Sequence, residues 1–336
     1  MRKWLWVSAG LAVGVAILAA GWIWHSSSAP AREKVRVGYW TSGVSLGFGT
    51  VLEAEKFLEK QGIEVEYVRF PDLASQIRAL ASGSIDITFG SPLSAIYAAD
   101  EEGVPVKLVA ASQPADAVVV VPADSPIKTL ADLRGKKVGG TYPTAAVSVL
   151  LNTIADQGYG IKPEEYTIVA GNESRLVQFL AQNQIDASVL RAVTVDQVGN
   201  DVKLRTIATV GDEWKKITGN DAPPYIGTVA ATSDFVSKNP EATAKVISGL
   251  IEAQKWGSAN KDQVAKIMEK KANLPEKDAR VFASRWDSMY RTSFDPATIE
   301  TLKREHQAFE KVGVIKGPLN EAVFVTEPYR KASGEK

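Results

Sequence analysis

Between Ser75 and Pro92 the apolar positions change their spacing from that of a helix to that of a strand. Ile77, Leu80 and Ala81 recur on one helix face, Gly83 stands where a helix stops, and Ile85 to Phe89 forms a short apolar run. Gly90, Ser91 and Pro92 follow: a glycine suited to close backbone approach, an N-cap candidate and a residue suited to a first helical turn. One hundred positions later the pattern returns, with Val177, Leu180, Ala181, Asn183, Ile185, Asp186 and Ser188 answering Ile77, Leu80, Ala81, Gly83, Ile85, Asp86 and Thr88. Asn183 replaces Gly83 as the other residue that tolerates positive φ. Two similar lobes are expected, and Ser91 in the first copy is answered by Arg191 in the second.

The remaining pattern extends this unit. Val35 to Tyr39 alternates as a strand and breaks into Trp40-Thr41-Ser42-Gly43. Val51 to Leu58 reads as an amphipathic helix and Ile63 to Phe70 as a strand. Pro92 to Glu102 reads as a further helix leading into Val106 to Ala110. Strands alternating with helices imply a mostly parallel sheet covered on both faces. The β-branched run Ala117 to Val121 is expected to cross between lobes. Gly139-Gly140-Thr141-Tyr142-Pro143-Thr144 forms a strand-to-helix turn that matches neither a P-loop nor a dinucleotide fingerprint. Tyr225 begins the expected return crossing, and from Asn239-Pro240 the pattern is almost wholly helical. The fold class is therefore α/β with two lobes, two crossings and a helical C-terminal region. The expected boundaries are 1–31 for a leader, 32–118 for the first part of lobe 1, 119–224 for lobe 2, and 225–336 for the return crossing and helices packing on lobe 1.

Composition narrows the function. Lys plus Arg and Asp plus Glu number 39 each, so no basic excess exists to bind a nucleic-acid backbone. No cysteine is present and the histidines are His25 and His306, which excludes thiol chemistry and a Cys/His zinc site. His306 lies in the charged stretch Leu302 to His306 and reads as a solvated surface residue. Arg2 and Lys3 precede the apolar run Trp4 to Trp24, which is followed by a small-residue exit at Ala29-Pro30-Ala31. This pattern reads as a signal peptide or, since the run is long enough to span a bilayer, an N-terminal membrane anchor. Either way the bulk of the chain is expected outside the cytoplasm.

With Val37-Gly38-Tyr39-Trp40, Ile77 to Pro92, Ser125 to Val138, Ile185-Asp186 and Asp234-Phe235-Val236 assembled, the chain resembles the solute-binding proteins of ABC importers. It is most similar to their sulfonate, taurine and nitrate branch, which is related to thiamine-precursor-binding proteins. The resemblance covers Val35 to about Tyr329. It implies a periplasmic-binding-protein fold of type II with the ligand in the cleft between lobes. It also implies a monomer that delivers a small organic anion to an ABC permease in the inner membrane, without enzymatic activity or a cofactor. Carried over by position, Tyr39, Trp40, Thr41, Ser42, Gly90, Ser91, Pro92, Thr141, Tyr142, Thr144, Arg191 and Tyr225 are the expected ligand-binding residues. Arg191 is expected to clamp a sulfonate or carboxylate bidentately, and Trp40, Tyr142 and Tyr225 to wall the organic part. Asp86 and Asp186 are read as structural, at matching strand starts.

Three departures bear on the ligand. Leu190-Arg191-Ala192-Val193 stands where related sulfonate binders usually place an aromatic, Gly227 where taurine binders can place an aspartate, and Ala145-Ala146 where a denser hydroxyl cluster is common. The leading expectation is an aliphatic or aryl sulfonate. The alternatives are a thiamine-precursor pyrimidine or nitrate as solute, a membrane-tethered ligand sensor, or an exported enzyme of the thiamine-precursor superfamily.

Overall fold

The computed structural model describes Lys34–Glu335, so the run Trp4 to Trp24 and the exit at Ala29 to Ala31 lie outside the described residues. Among the described residues ten strands form two five-stranded sheets. The first holds β1 (Lys34–Trp40), β2 (Glu64–Phe70), β3 (Ile87–Ser91), β4 (Val106–Pro114) and β10 (Tyr225–Thr232) in the order β2-β1-β3-β10-β4. The second holds β5 (Ala117–Pro122), β6 (Lys137–Gly140), β7 (Thr167–Ala170), β8 (Ala187–Arg191) and β9 (Leu204–Thr209) in the order β7-β6-β8-β5-β9. In each sheet four strands run one way and one runs against them. The reversed strand is β10 between β3 and β4, and β5 between β8 and β9. These are the first strands after each passage between sheets. The passages themselves are short: the chain leaves β4 at Pro114 and pairs in the second sheet from Ala117, then returns through Gly219 to Pro224 into β10.

The repeat seen in the sequence is reproduced bond by bond. Helix Leu73–Ala81 is capped by the Asp72 carboxylate accepting from Ser75 N–H, and helix Glu173–Ala181 by the Asn172 side chain accepting from Arg175 N–H. Gly83 (φ 69°) and Asn183 (φ 54°) both turn the chain through the left-handed region. Asp86 accepts from Arg36 N–H at 2.8 Å, and Asp186 from Lys137 N–H at 2.7 Å. Thr88 donates to Gly38 O at 2.7 Å, and Ser188 to Gly139 O at 3.1 Å. Each aspartate thus ties the start of one central strand to the next, the structural role expected of the pair.

Burial explains two places where patterning and structure differ. The β5 valines run without polar interruption because both faces are covered: Val119 and Val121 pack with Leu150, Ile154 and Trp214, whereas Val118 and Val120 pack with Leu176, Leu180 and Leu190. The strand therefore belongs wholly to the second sheet, and the crossing occupies Ala115 and Asp116. The helix expected over Val51 to Leu58 instead spans Gly43–Ala54, with a separate turn at Phe57–Lys60. Its low-propensity glycines admit neighbours, Gly49 the Tyr39 ring and Gly47 the side chains of Met268 and Phe282.

The C-terminal helices Pro240–Ala259, Lys261–Lys271, Glu276–Ser284 and Trp286–Met289 contribute Val246, Ile247, Leu250, Phe282 and Trp286 to the core of the first lobe. Helix Pro296–Lys311 lies along the return passage. Thr301 donates to Ala222 O, the Asn220 amide donates to Ala297 O and Thr301 Oγ1, and the fully buried Glu305 carboxyl accepts from Tyr225 N–H at 3.1 and 3.2 Å. On this inward face His306 is buried as well, edge-on to Tyr97 with ring centroids 4.9 Å apart. The solvated reading of His306 is thereby corrected: the charged neighbours occupy the other face of a helix pressed against the lobes. Among the described residues no helix is long and apolar enough to cross a membrane.

Burial holds the Glu305 carboxyl well above the ordinary glutamate value, and the Tyr225 N–H offsets this only in part. The folded state therefore binds a proton that the unfolded state releases once pH exceeds about 4.5. Over that window, up to the folded-state value, stability falls as pH rises. Glu305→Gln keeps the acceptor and removes the ionisation. Its melting temperature should match the parent near pH 4 and exceed it increasingly from pH 6 to 8 in thermal melts across pH.

Candidate functional site

The carboxyl ends of the central strands β1, β3, β6 and β8 each lead within a few residues into a helix, and such ends are where open α/β sheets present ligand sites. Helices Gly43–Ala54, Leu93–Glu101 and Ala146–Tyr159 begin there, at Ser42, Pro92 and Ala145, without a side-chain cap. Helices that follow the outer strands and the reversed strand β10 are capped by Asp72, Asn172, Thr209 and Thr232. Uncapped helix starts leave backbone N–H groups and the positive end of the helix dipole available to an anion.

The two lobes meet at this edge. A Cβ built on Gly43 would lie 3.0 Å from the Trp40 ring and 3.5 Å from Arg191 Nη1, bringing the β1 loop and the end of β8 together. Val149 and Val193 of the second lobe join the apolar cluster of the first. Gly90, at φ 67°, lets the backbone approach Ser45 and Gln113, whose amide donates to Ser45 Oγ at 3.0 Å. Thr141, Tyr142 and Thr144 are exposed, Tyr142 to 54%. Ser42 is exposed and Trp40 half-buried, its indole N–H donating to Pro71 O at 3.2 Å.

Other expected residues are engaged elsewhere. Tyr39 is buried and stacked on Phe89 at 5.1 Å, and its hydroxyl donates to Glu53 at 2.5 Å. With its ring in the core, Tyr39 is among the residues lining a recess of about 490 Å³, together with Thr41, Glu53, Arg69 and Lys271. Burial dominates in raising the Tyr39 hydroxyl far above its ordinary value, reinforced by the bond to Glu53. The Thr41 hydroxyl donates to Phe70 O at 3.0 Å. Ser91 is fully buried against Gln76 and Thr88, and Pro92 only opens the next helix. Tyr225 is fully buried in the first lobe's core, so its expected place as a wall of the organic group is corrected. The start of β10 is drawn inward by Glu305.

The largest revision concerns Arg191. Its Nε and Nη2 both donate to Glu173 Oε2, at 2.9 and 2.7 Å, and its own backbone N–H donates to Glu173 Oε1 at 3.0 Å. Thr194 donates to the same carboxylate. Burial works against the Glu173 charge, but the hydrogen bonds and charge of Arg191 outweigh it and hold the carboxyl below its ordinary value. The expected bidentate clamp is therefore already closed on a carboxylate of the same lobe, and Nη1 is the guanidinium nitrogen that faces the other lobe. Sequence reading missed Glu173, which stands eighteen residues before Arg191 at a helix start, a position that an acid occupies for the dipole alone. Among the described residues no group of three or more histidine, aspartate and glutamate side chains converges as a metal site.

Comparison with known proteins agrees with this architecture. A family model described as NMT1/THI5 like matches residues 49–264. The taurine-binding periplasmic protein of Escherichia coli (strain K12) is 26% identical over 312 residues, which cover 90% of this chain and 87% of that protein. The periplasmic aliphatic sulphonate binding protein SsuA from Escherichia coli superposes with a TM-score of 0.71 at 20% identity, over 87% of this chain and 92% of that one. The desulfurization enzyme DSZB shares the fold at a TM-score of 0.63 and 12% identity, over 90% of this chain and 99% of its own.

A double-mutant cycle tests the Arg191–Glu173 pairing. Arg191→Ala leaves a largely buried carboxylate without its cation and should destabilise the chain more than the double variant Glu173→Ala/Arg191→Ala. A coupling of about 1–3 kcal/mol in urea denaturation is expected. Additive losses would show that the pair contributes nothing jointly.

Proposed function

The chain belongs to the NMT1/THI5-like family, and from that premise we propose that it is the extracytoplasmic solute-binding component of an ABC importer. Its solute is a small organic anion, an aliphatic or aryl sulfonate, captured between the lobes and delivered as the closed form to a permease in the inner membrane. The observation that carries the reading is the set of three uncapped helices starting at the ends of β1, β3 and β6, while the other strand-following helices of eight or more residues are capped. Neutral backbone donors suit a permanently ionised group such as a sulfonate. Trp40, Thr141, Tyr142, Thr144 and the free edge of Arg191 are the candidate contacts. The protein is read as a monomeric binding protein without catalysis; the taurine-binding and aliphatic sulphonate binding proteins it resembles are named for binding. Ligand stabilises the closed arrangement by its differential affinity for it.

The site also bears on the organic half of the ligand. Gly227 stands where the resemblance places an aspartate in taurine binders. A Cβ there would come within 2.5 Å of Gln113 Oε1, so the Gln113 amide fills the space a carboxylate would need. An ammonium group seated there would lack a counter-charge, and desolvating an unpaired charge is costly. Sulfonates without an amine are therefore preferred over taurine.

A thermal-shift screen against alkyl and aryl sulfonates, taurine, nitrate, carboxylates and pyrimidines tests both points. At one hundred times its dissociation constant a ligand adds about 2.7 kcal/mol of stability, which moves melting by several degrees. Ethanesulfonate should shift melting more than taurine at equal concentration. Stabilisation by pyrimidines alone would replace the anion reading with a thiamine-precursor one.

A further inference from the structure

Three helices at the central strand ends open on one pattern, a small residue, valine and a hydroxyl residue: Gly43-Val44-Ser45, Ala146-Val147-Ser148 and Ala192-Val193-Thr194. The hydroxyl falls third in each helix. Two of the three are engaged within the protein, Ser45 accepting from Gln113 and Thr194 donating to Glu173. The third differs: Ser148 is fully buried and its Oγ has no hydrogen-bond partner. A buried hydroxyl left unpaired costs free energy, so its retention at this position calls for a partner outside the chain.

The surroundings say what that partner is. Ser148 sits in the first turn of a fourteen-residue helix whose N-cap, Ala145, offers no side-chain acceptor to the free N–H groups. Its Oγ faces the end of β6, where a Cβ on Gly140 would lie 2.8 Å away, so glycine there is what lets the hydroxyl come this close to the strand. Thr141 to Thr144 are exposed above this turn, and Ala146 and Val149 pack on the apolar cluster of the opposite lobe. The hydroxyl and the N–H groups thus stand together at the contact between lobes, in a turn that supplies donors and no carboxylate. The competing seat, Arg191, already holds a carboxylate through two of its three nitrogens.

We propose that Ser148 Oγ, with the first N–H groups of helix Ala146–Tyr159, seats an oxygen of the ligand's anionic group, and that Arg191, fixed by Glu173, orders the neighbouring turn and offers at most its free edge rather than a bidentate clamp. The inference rests on the solute-binding reading above and adds to it the residue that determines specificity for the anionic end. Discrimination follows from geometry: one hydroxyl and adjacent backbone donors recognise terminal oxygens on a compact head, while the organic tail is left to Trp40 and Tyr142.

Isothermal titration of the full chain with ethanesulfonate, alongside Ser148→Ala, Ser148→Thr and Ser45→Ala, tests the seat. Ser148→Ala should weaken binding about ten- to hundredfold, the loss of a hydrogen bond to a charged group, while the unliganded protein melts no lower than the parent. Ser148→Thr, which keeps the hydroxyl, should bind more tightly than Ser148→Ala. Ser45→Ala should leave affinity within a fewfold of the parent, because that hydroxyl is already engaged. Parental affinity in Ser148→Ala overturns the seat alone and assigns the hydroxyl to a structural water. A parent chain that binds ethanesulfonate supports the solute-binding reading and leaves the Ser148 variants to decide the seat, and one that binds no anion at all overturns both.

Discussion

The architecture depends on the reversed strand in each sheet. A chain that visits two sheets and returns must enter each through a strand that fits between neighbours already running one way, and β5 and β10 do so antiparallel to both neighbours. Paired along both sides, these strands hold the incoming end of each passage, Ala115-Asp116 and Gly219 to Pro224, inside a sheet, while the strands that the chain leaves, β4 and β9, lie at the sheet edges. The carboxyl ends of the central strands β1, β3, β6 and β8, with their uncapped helices, then lie beside the passages, where lobe contact is closest.

Much of this was legible in the chain. The hundred-residue echo appears in the structure as matched caps, matched positive-φ residues and matched aspartate bonds, since short-range geometry requires particular residue types: an Asx cap, a glycine or asparagine turn, a carboxylate facing a strand N–H. Less legible was the direction a side chain takes once its element is set. Tyr39 and Tyr225 sit in strands beside the expected cleft, yet alternation along a strand turns their rings into the core. His306 looked solvated because its neighbours in sequence are charged. On a helix those neighbours face another way, and Leu302, Glu305, His306 and Phe309 share the inward side.

Charge pairing was the least readable of all. Arg191 and Glu173 are separated by a helix, a turn and a strand, and nothing in their local sequence marks them as partners. Bringing them together converts a prospective anion clamp into a nearly neutral unit and leaves backbone groups and hydroxyls as the proposed seat of an anion. The same logic explains Gly227 and Gln113, where a neutral amide fills the volume that a second charge would have required. On the proposed reading the site discriminates by shape and hydrogen-bond donors more than by net charge.

Helix Pro296–Lys311 has a mechanical consequence. It is bonded to the return passage at Asn220, Ala222 and Tyr225, to the first lobe through Tyr97 and Leu302, and to the second through Lys311 and Asp156, whose Nζ and Oδ2 are 2.5 Å apart. Two bodies held along such an edge cannot slide past each other there without shearing that row of bonds, and Arg285 bonded to Asp196 adds a second tie between them. Swinging about the edge leaves the row intact, so the helix acts as a hinge pin, and displacement grows in proportion to distance from it. Such a swing would leave the buried bonds beside the pin, Glu305 with Tyr225 and Thr301 with Ala222, in place.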